Sequence, residues 1–234
     1  MQSIFYHYTS AERYRSIESG GTYGEKTGLL PLRRVIHLSA YKRYGLPEQA
    51  SDGAIYGLLS PMPAMWCKKT FHADESLLET VLGEIPTDKD REIYLLAATV
   101  LPTDDVYVMN YAPHLRPEYL GRDSGDDKIV GEVKRAYWDS RVPFQEYLNG
   151  GVSYFVPEVV CFSPIPLERV RVAQVYNKRD LINHVREHGG FLPHPPEPKF
   201  NREAFEKHFG GLLKPTPPSS PAPIPGCRGH LRLV

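Results

Sequence analysis

The sequence predicts an α+β fold. Segments of strand length, rich in aromatic and β-branched residues, lie near both ends of the first 190 residues, and segments with helical periodicity lie between and after them. Beyond that point the composition changes, because ten of the 22 prolines fall between residues 193 and 225. We therefore expect one folded domain over residues 1–190 and a Pro-rich, partly disordered C-terminal extension over residues 191–234.

The chain begins with a strand that is followed at once by a helix. Residues 4–8 are aromatic or β-branched, and Thr9 with Glu12 matches the capping box that opens a helix. A pair of glycines ends the helical pattern, and residues 33–39 predict a second strand.

The middle of the chain alternates between strand and helix patterns. Residues 53–66 are small, apolar and interrupted by proline, which predicts a packed loop or flap rather than a regular element. We expect a helix over residues 74–82, strands over 93–101 and 106–109, and a helix over 129–138.

The last part of the domain holds the strongest β pattern. Residues 152–162 are almost continuously apolar, and residues 170–176 alternate between apolar and polar side chains. An amphipathic helix over residues 178–188 then ends at two glycines.

Composition gives no argument for several function classes. The 28 basic and 28 acidic side chains cancel, so bulk charge gives no reason to expect nucleic-acid or membrane binding, and a local basic patch would be needed instead. Cys67, Cys161 and Cys227 are odd in number and widely spaced, which favours a reducing compartment over a disulfide framework or a zinc site. The sequence also shows no secretion signal or membrane span, so we expect a cytoplasmic protein, with export lacking a cleavable signal left open.

Two titratable residues stand out against apolar surroundings. Glu158 lies between Val156 and Val160 on one face of the predicted strand, where a carboxylate is costly to bury unless it faces a cavity or has partners. The alternative is an outward-facing residue on a half-exposed strand. His7 is equally ambiguous, because a lone histidine in a strand is often a core residue with its hydrogen bonds satisfied.

Two segments resemble a known enzyme class. Phe5-Tyr6-His7-Tyr8-Thr9-Ser10, followed by a helix and by Val35-Ile36-His37-Leu38-Ser39, resembles the start of ADP-ribosyltransferases of the diphtheria-toxin-like His-Tyr-Glu class. It is most similar to the toxin-type branches with a His-Tyr-Thr first strand. Pro157-Glu158-Val159-Val160, with the proline turn at residues 164–166, resembles the strand that carries the catalytic glutamate of that class.

The resemblance implies a fold and a site. It implies a split β-sheet core with flanking helices, in which His7 hydrogen-bonds a ribose of NAD and Glu158 contacts the 2′-hydroxyl of the nicotinamide ribose. Both residues would then lie on opposite sides of one cleft. Catalysis is assigned to Glu158 and His7, and NAD binding to Tyr8, Thr9, Ser10, His37, Ser39, Tyr41, Tyr44 and Tyr56.

One position departs from the pattern of the class. His37 stands where the second strand usually carries an aromatic residue, so nicotinamide stacking falls to His37 itself or to Tyr41, Tyr44 or Tyr56. Cleavage of the nicotinamide–ribose bond develops an oxocarbenium-like cation, which a carboxylate beside the ribose stabilises without a metal. We therefore expect NAD as a substrate and no metal site.

The resemblance leaves several functions open. The first is a mono-ADP-ribosyltransferase acting on a protein or nucleic-acid acceptor, with an antitoxin or inhibitor as a further partner and no membrane partner. In the second, an NAD glycohydrolase, water replaces the acceptor. An RNA 2′-phosphotransferase needs several converging arginines, and only Arg33 and Arg34 form a close pair. The last is a degenerate nucleotide-binding or interaction module, which His37 favours.

Overall fold

The computed structural model describes residues 3–19, 29, 33–34, 42–69, 75–88, 91–115 and 127–189. The strands in this part of the chain are β1 (Ser3–Ser10), β2 (Arg33–Arg34), β3 (Gly53–Gly57), β4 (Glu92–Val100), β5 (Val106–Asn110), β6 (Val142–Pro143), β7 (Pro157–Cys161) and β8 (Val170–Asn177). The α-helices are α1 (Ala11–Ser19), α2 (Leu77–Glu84), α3 (Asp127–Asp139), α4 (Phe144–Leu148) and α5 (Lys178–His188). Short 3-10 turns lie at Glu48–Ser51, Ala112–Leu115 and Leu167–Arg169.

The strands form two antiparallel sheets. One has the order β1-β4-β8, and the other has the order β2-β3-β7-β5-β6. Both sheets are therefore built from strands that are distant in sequence, and β7 lies between β3 and β5 at the centre of the larger sheet.

The backbones of the two sheets pair at one point in the described residues. Tyr6 of β1 and Leu58, just after β3, exchange two backbone hydrogen bonds of 2.8 Å. Gly57 permits this approach, because a Cβ atom there would lie 2.4 Å from Cδ2 of Phe5 and 2.8 Å from the carbonyl oxygen of Tyr6. A side chain at residue 57 would push the two sheets apart.

Period-two alternation divides the apolar side chains among three clusters. The first lies between the sheets and includes Phe5, Leu96, Val108 and Val159. The second packs the other side of the first sheet against α2 and α5, and it includes Leu95, Leu82 and Leu181. The third packs the other side of the larger sheet against α3, and it contains Ala54, Met109, Val160, Tyr137 and Trp138.

Buried charge fixes α2 and α5 to each other. The ammonium group of Lys178 is buried and donates to the carbonyl oxygens of Gly83, Ile85 and Thr87, at the C-terminal end of α2. A cation is favourable there because the last carbonyl groups of a helix lack partners within it. At the other end of α2, Glu79 completes a capping box with Ser76 and accepts a 3.0 Å hydrogen bond from Arg186 of α5.

Most predicted elements are confirmed within the described residues, as is the α+β class. The helix predicted over residues 129–138 and the strand over 170–176 match α3 and β8. The prediction for residues 53–66 is wrong in its first part, because residues 53–57 form β3, which pairs on both sides. The prolines that suggested a loop follow this strand instead of interrupting it.

Two further details differ from the sequence expectations. Ser10 caps α1, since its hydroxyl accepts from the backbone N–H of Arg13, whereas Thr9 was expected to be the cap. β7 begins only at Pro157, so the strand predicted from residue 152 is shorter than expected. The predicted strand over residues 35–39 and the extension over 191–234 lie outside the described residues. Among the described helices, none has the length and apolar character that crossing a membrane requires.

Candidate active site

Glu158 lies at the centre of the larger sheet. It is 9 % exposed, and its carboxylate accepts a 2.5 Å hydrogen bond from the hydroxyl of Tyr137 on α3. Glu158 pairs with Met109 of β5, and both side chains leave the sheet on the side that α3 covers. The structure therefore gives the carboxylate a fixed donor in a largely apolar setting, which a buried carboxylate requires.

Aromatic rings surround the donor of this hydrogen bond. The ring of His114 lies 4.6 Å from that of Tyr111, to which it is nearly parallel, and 4.8 Å from that of Tyr137, edge to face. Burial raises the pKa of Tyr137 well above its usual value, and the negative charge of Glu158 adds to this effect. Tyr137 therefore stays protonated and donates its hydrogen bond throughout the physiological pH range.

The histidine of this cluster is neutral. Burial lowers the pKa of His114 to about 4, and the positive charge of Lys134 on α3 lowers it further. Burial also lowers the pKa of Lys134. The surroundings of Tyr137, which donates to Glu158, thus contain an uncharged imidazole and the phenol of Tyr111, so His114 brings no positive charge to this cluster near pH 7.

His7 is held on the other side of β3. Its Nδ1 atom lies 2.8 Å from the backbone carbonyl oxygen of Tyr56. A carbonyl oxygen can only accept, so Nδ1 carries the proton and Nε2 keeps its lone pair. Burial lowers the pKa of His7, which favours this neutral form.

Tyr56 connects the two predicted catalytic residues. Its carbonyl accepts from His7, and its side chain leaves β3 on the same face as its partner Val160 and hence as Glu158. Tyr56 and Glu158 are diagonal neighbours on adjacent strands, a relation that puts the two residues about 7–8 Å apart, with their Cβ atoms somewhat closer. Tyr56 also packs against the third cluster, which contains Tyr137.

The junction of the sheets sets the spacing between His7 and Glu158. Continuing the register of β3 and β7 by one residue puts Glu158 opposite Leu58, which pairs with Tyr6 on its other side. With strands about 4.8 Å apart, the backbones of His7 and Glu158 are separated by two strand spacings, roughly 10 Å. The backbones of the two residues thus lie near each other. His7 pairs with Leu96 of the first cluster, so its side chain leaves β1 on that side, whereas Glu158 faces α3.

The other predicted binding residues have varied surroundings. Tyr8 packs into the second cluster, and its hydroxyl donates to the carbonyl oxygen of Pro61. Thr9 is 3 % exposed, and its hydroxyl has no hydrogen-bond partner among the described residues, while Ser10 caps α1. Tyr44 lies at the outer side of α3, against Gly131.

Three predicted binding residues, His37, Ser39 and Tyr41, lie outside the described residues. Of the aromatic residues proposed to stack on nicotinamide, Tyr44 and Tyr56 are described, and Tyr56 shares the face of the sheet on which Glu158 lies. In the part of the chain that the structure describes, no three His, Cys, Asp or Glu side chains form a group that could bind a metal ion.

The sequence alone does not indicate which residue hydrogen-bonds Glu158 or which rings surround that residue. Tyr137 lies in the helix predicted over residues 129–138, and Tyr111 and His114 fall between that helix and the strand predicted over residues 106–109. A weak signal was present in Tyr137 itself, because a buried tyrosine usually needs a partner for its hydroxyl. That signal does not name the partner.

No family model, no curated protein and no solved structure matches this chain.

Proposed function

We propose that this protein is an NAD-dependent mono-ADP-ribosyltransferase that transfers ADP-ribose to a macromolecular acceptor and releases nicotinamide. The observation that carries the proposal is the position of His7, Tyr56 and Glu158 around one strand, β3. These three residue types serve NAD cleavage in the class that the sequence resembles, and they come from three separate parts of the chain.

Glu158 supplies the negative charge that the reaction needs. As the nicotinamide–ribose bond breaks, positive charge develops on the ribose, and a carboxylate beside it stabilises the transition state more than the ground state. The hydrogen bond from Tyr137 fixes the carboxylate, so little reorganisation is needed when this charge appears.

His7 and Tyr56 position the substrate. The Nε2 lone pair of His7 can accept a hydrogen bond from a ribose hydroxyl, because Nδ1 is already committed to the carbonyl of Tyr56. The ring of Tyr56 offers an aromatic surface for the nicotinamide on the face that carries Glu158. One strand therefore orients the histidine with its backbone and the substrate ring with its side chain.

The decisive experiment measures nicotinamide release from NAD by the purified full chain and by Glu158→Gln. We expect the variant to lose at least about a hundredfold in rate, as is usual when one preorganised electrostatic group is removed. Its melting temperature should stay close to that of the wild type, since the amide oxygen of glutamine can still accept from Tyr137. Glu92→Gln, an exposed change on β4, is the matched control and should leave the rate unchanged.

A second measurement distinguishes the reaction classes. NAD labelled in its adenylate part is incubated with the protein and with fractionated protein and nucleic acid. Label on a macromolecule supports the transferase, and nicotinamide release without label indicates the glycohydrolase instead. A chain that releases no nicotinamide, or a Glu158→Gln variant that keeps its rate, would contradict the proposal.

A further inference from the structure

A surface groove of about 460 Å³ runs along the outer side of α3. It is lined by Arg43, Tyr44, Lys128, Gly131, Glu132 and Arg135. Residues 128, 131, 132 and 135 lie on one face of the helix at the usual spacings of three and four residues, and Tyr137 lies on the opposite face. The groove and the candidate active site therefore share α3 as a common wall.

The groove is positively charged although the whole chain is neutral. Its lining holds three cations, Arg43, Lys128 and Arg135, and one carboxylate, Glu132, which gives a net charge of +2. All three cationic side chains are exposed. Because Arg43 is far in sequence from α3, only the fold creates this local basic patch, which is the feature that bulk composition could not provide.

An aromatic ring lies among these charges. Tyr44 is half-buried and rests on α3 at Gly131, where a Cβ atom would lie only 2.8 Å from its Cδ1 atom. Gly131 thus lets the ring lie close against the helix, which restricts its motion. A restrained aromatic ring beside several cations is the combination that single-stranded nucleic acids use, since bases stack on the ring and phosphates contact the cations.

We infer that this groove binds a single-stranded nucleic acid, with phosphates near Arg43, Lys128 and Arg135 and an unpaired base against Tyr44. A single strand fits better than a duplex, because a duplex hides the faces of its bases from a ring inside a groove. In the transferase proposed above, this strand is the acceptor, and that second statement rests on the proposed function.

The binding experiment uses the full chain and a fluorescent strand of about 12 nucleotides, without NAD. Three phosphate contacts predict a slope of about −2 for the logarithm of the association constant against the logarithm of the salt concentration. The double variant Lys128→Gln with Arg135→Gln should bring the slope close to −0.7 and weaken binding at low salt. The control pair, Arg171→Gln with Arg179→Gln, removes two exposed cations from β8 and α5 and should change neither quantity.

The stacking contact is tested separately by Tyr44→Leu, which keeps an apolar side chain against Gly131. Binding should weaken at least about fivefold with an unchanged salt slope. Equal binding of a duplex, or equal binding of a free mononucleotide, would overturn the inference, as would full affinity in the double variant. The two proposals are tested independently, because Glu158 does not line the groove. Strand binding is measured without NAD, and nicotinamide release is measured without a strand, so the failure of one proposal is distinguished from the failure of the other.

Discussion

Replacing Tyr137 by phenylalanine tests whether the hydrogen bond to Glu158 serves catalysis. The substitution removes one hydroxyl and keeps the ring, so the packing of Tyr137 against His114 is retained. The lost interaction is a short hydrogen bond of 2.5 Å to a buried carboxylate. Hydrogen bonds to charged groups contribute about 1.5–3 kcal/mol.

The expected rate follows from this energy. Suppose that the hydrogen bond from Tyr137 to Glu158 acts mainly when positive charge develops on the substrate. Its loss then lowers kcat for nicotinamide release by about 10- to 150-fold, since about 1.4 kcal/mol corresponds to a factor of ten. KM for NAD should change little, because the phenol does not bind the substrate directly. A purely structural role would instead lower the melting temperature and leave kcat of the folded enzyme unchanged.

The control is Tyr107→Phe. Tyr107 lies on β5 on the same side of the sheet as Glu158, and its hydroxyl hydrogen-bonds Asp105. Both variants are assayed well below their melting temperatures. If Tyr137→Phe keeps a kcat within twofold of Tyr107→Phe, the hydrogen bond to Glu158 has no catalytic role and the reasoning is refuted.

Three further predictions concern the scaffold. Gly57→Ala should lower the free energy of unfolding by about 1–3 kcal/mol, measured as a lower melting temperature, because the added methyl group meets Phe5. The control is Gly83→Ala, which has open space around its Cβ position and should be neutral or stabilising. Lys178→Met should cost about 2–4 kcal/mol in urea unfolding, since three carbonyl groups lose a charged donor. Burial holds the pKa of His114 at about 4 against an ordinary 6.5. The neutral form of His114 therefore adds about 3 kcal/mol to the free energy of unfolding above pH 6.5, and this stabilisation is lost as the pH falls towards 4.

Each of these predictions has a result that would contradict it. Equal melting temperatures for Gly57→Ala and the wild type would mean that the junction of the sheets accommodates a methyl group. An unfolding midpoint of Lys178→Met equal to that of the exposed change Arg171→Gln would remove the stabilising role of the buried ammonium. For His114, the comparison is His114→Phe, and the idea fails if the stability of this variant falls as steeply between pH 6.5 and 4 as that of the wild type.

Local patterns were sufficient where a segment forms its own periodic structure. The helix over residues 178–188 and the strand over 170–176 were predictable because alternation and amphipathic spacing act within a few residues. β3 was missed because its five residues include two glycines and precede two prolines, while its strand pairing comes from β2 and β7. Strand formation there depends on partners that local sequence cannot identify.

The candidate site divides in the same way. Glu158 was identifiable because a carboxylate is unusual in an apolar strand, and the structure shows the buried position that made it conspicuous. Tyr137, which holds it, and the groove formed by Arg43 with α3 depend on contacts between distant segments. A single sequence contains no record of which distant residues will meet.

The exchange between Tyr6 and Leu58 has a mechanical consequence. In the described residues it is the only backbone pairing that joins the two sheets, whereas neighbouring strands within each sheet share two or more residue pairs. Parting the sheets would break these two hydrogen bonds, a net cost of about 1–3 kcal/mol, and would also expose the first cluster, which is packed between them. The packing of this cluster therefore holds the two halves together more firmly than this backbone pairing does.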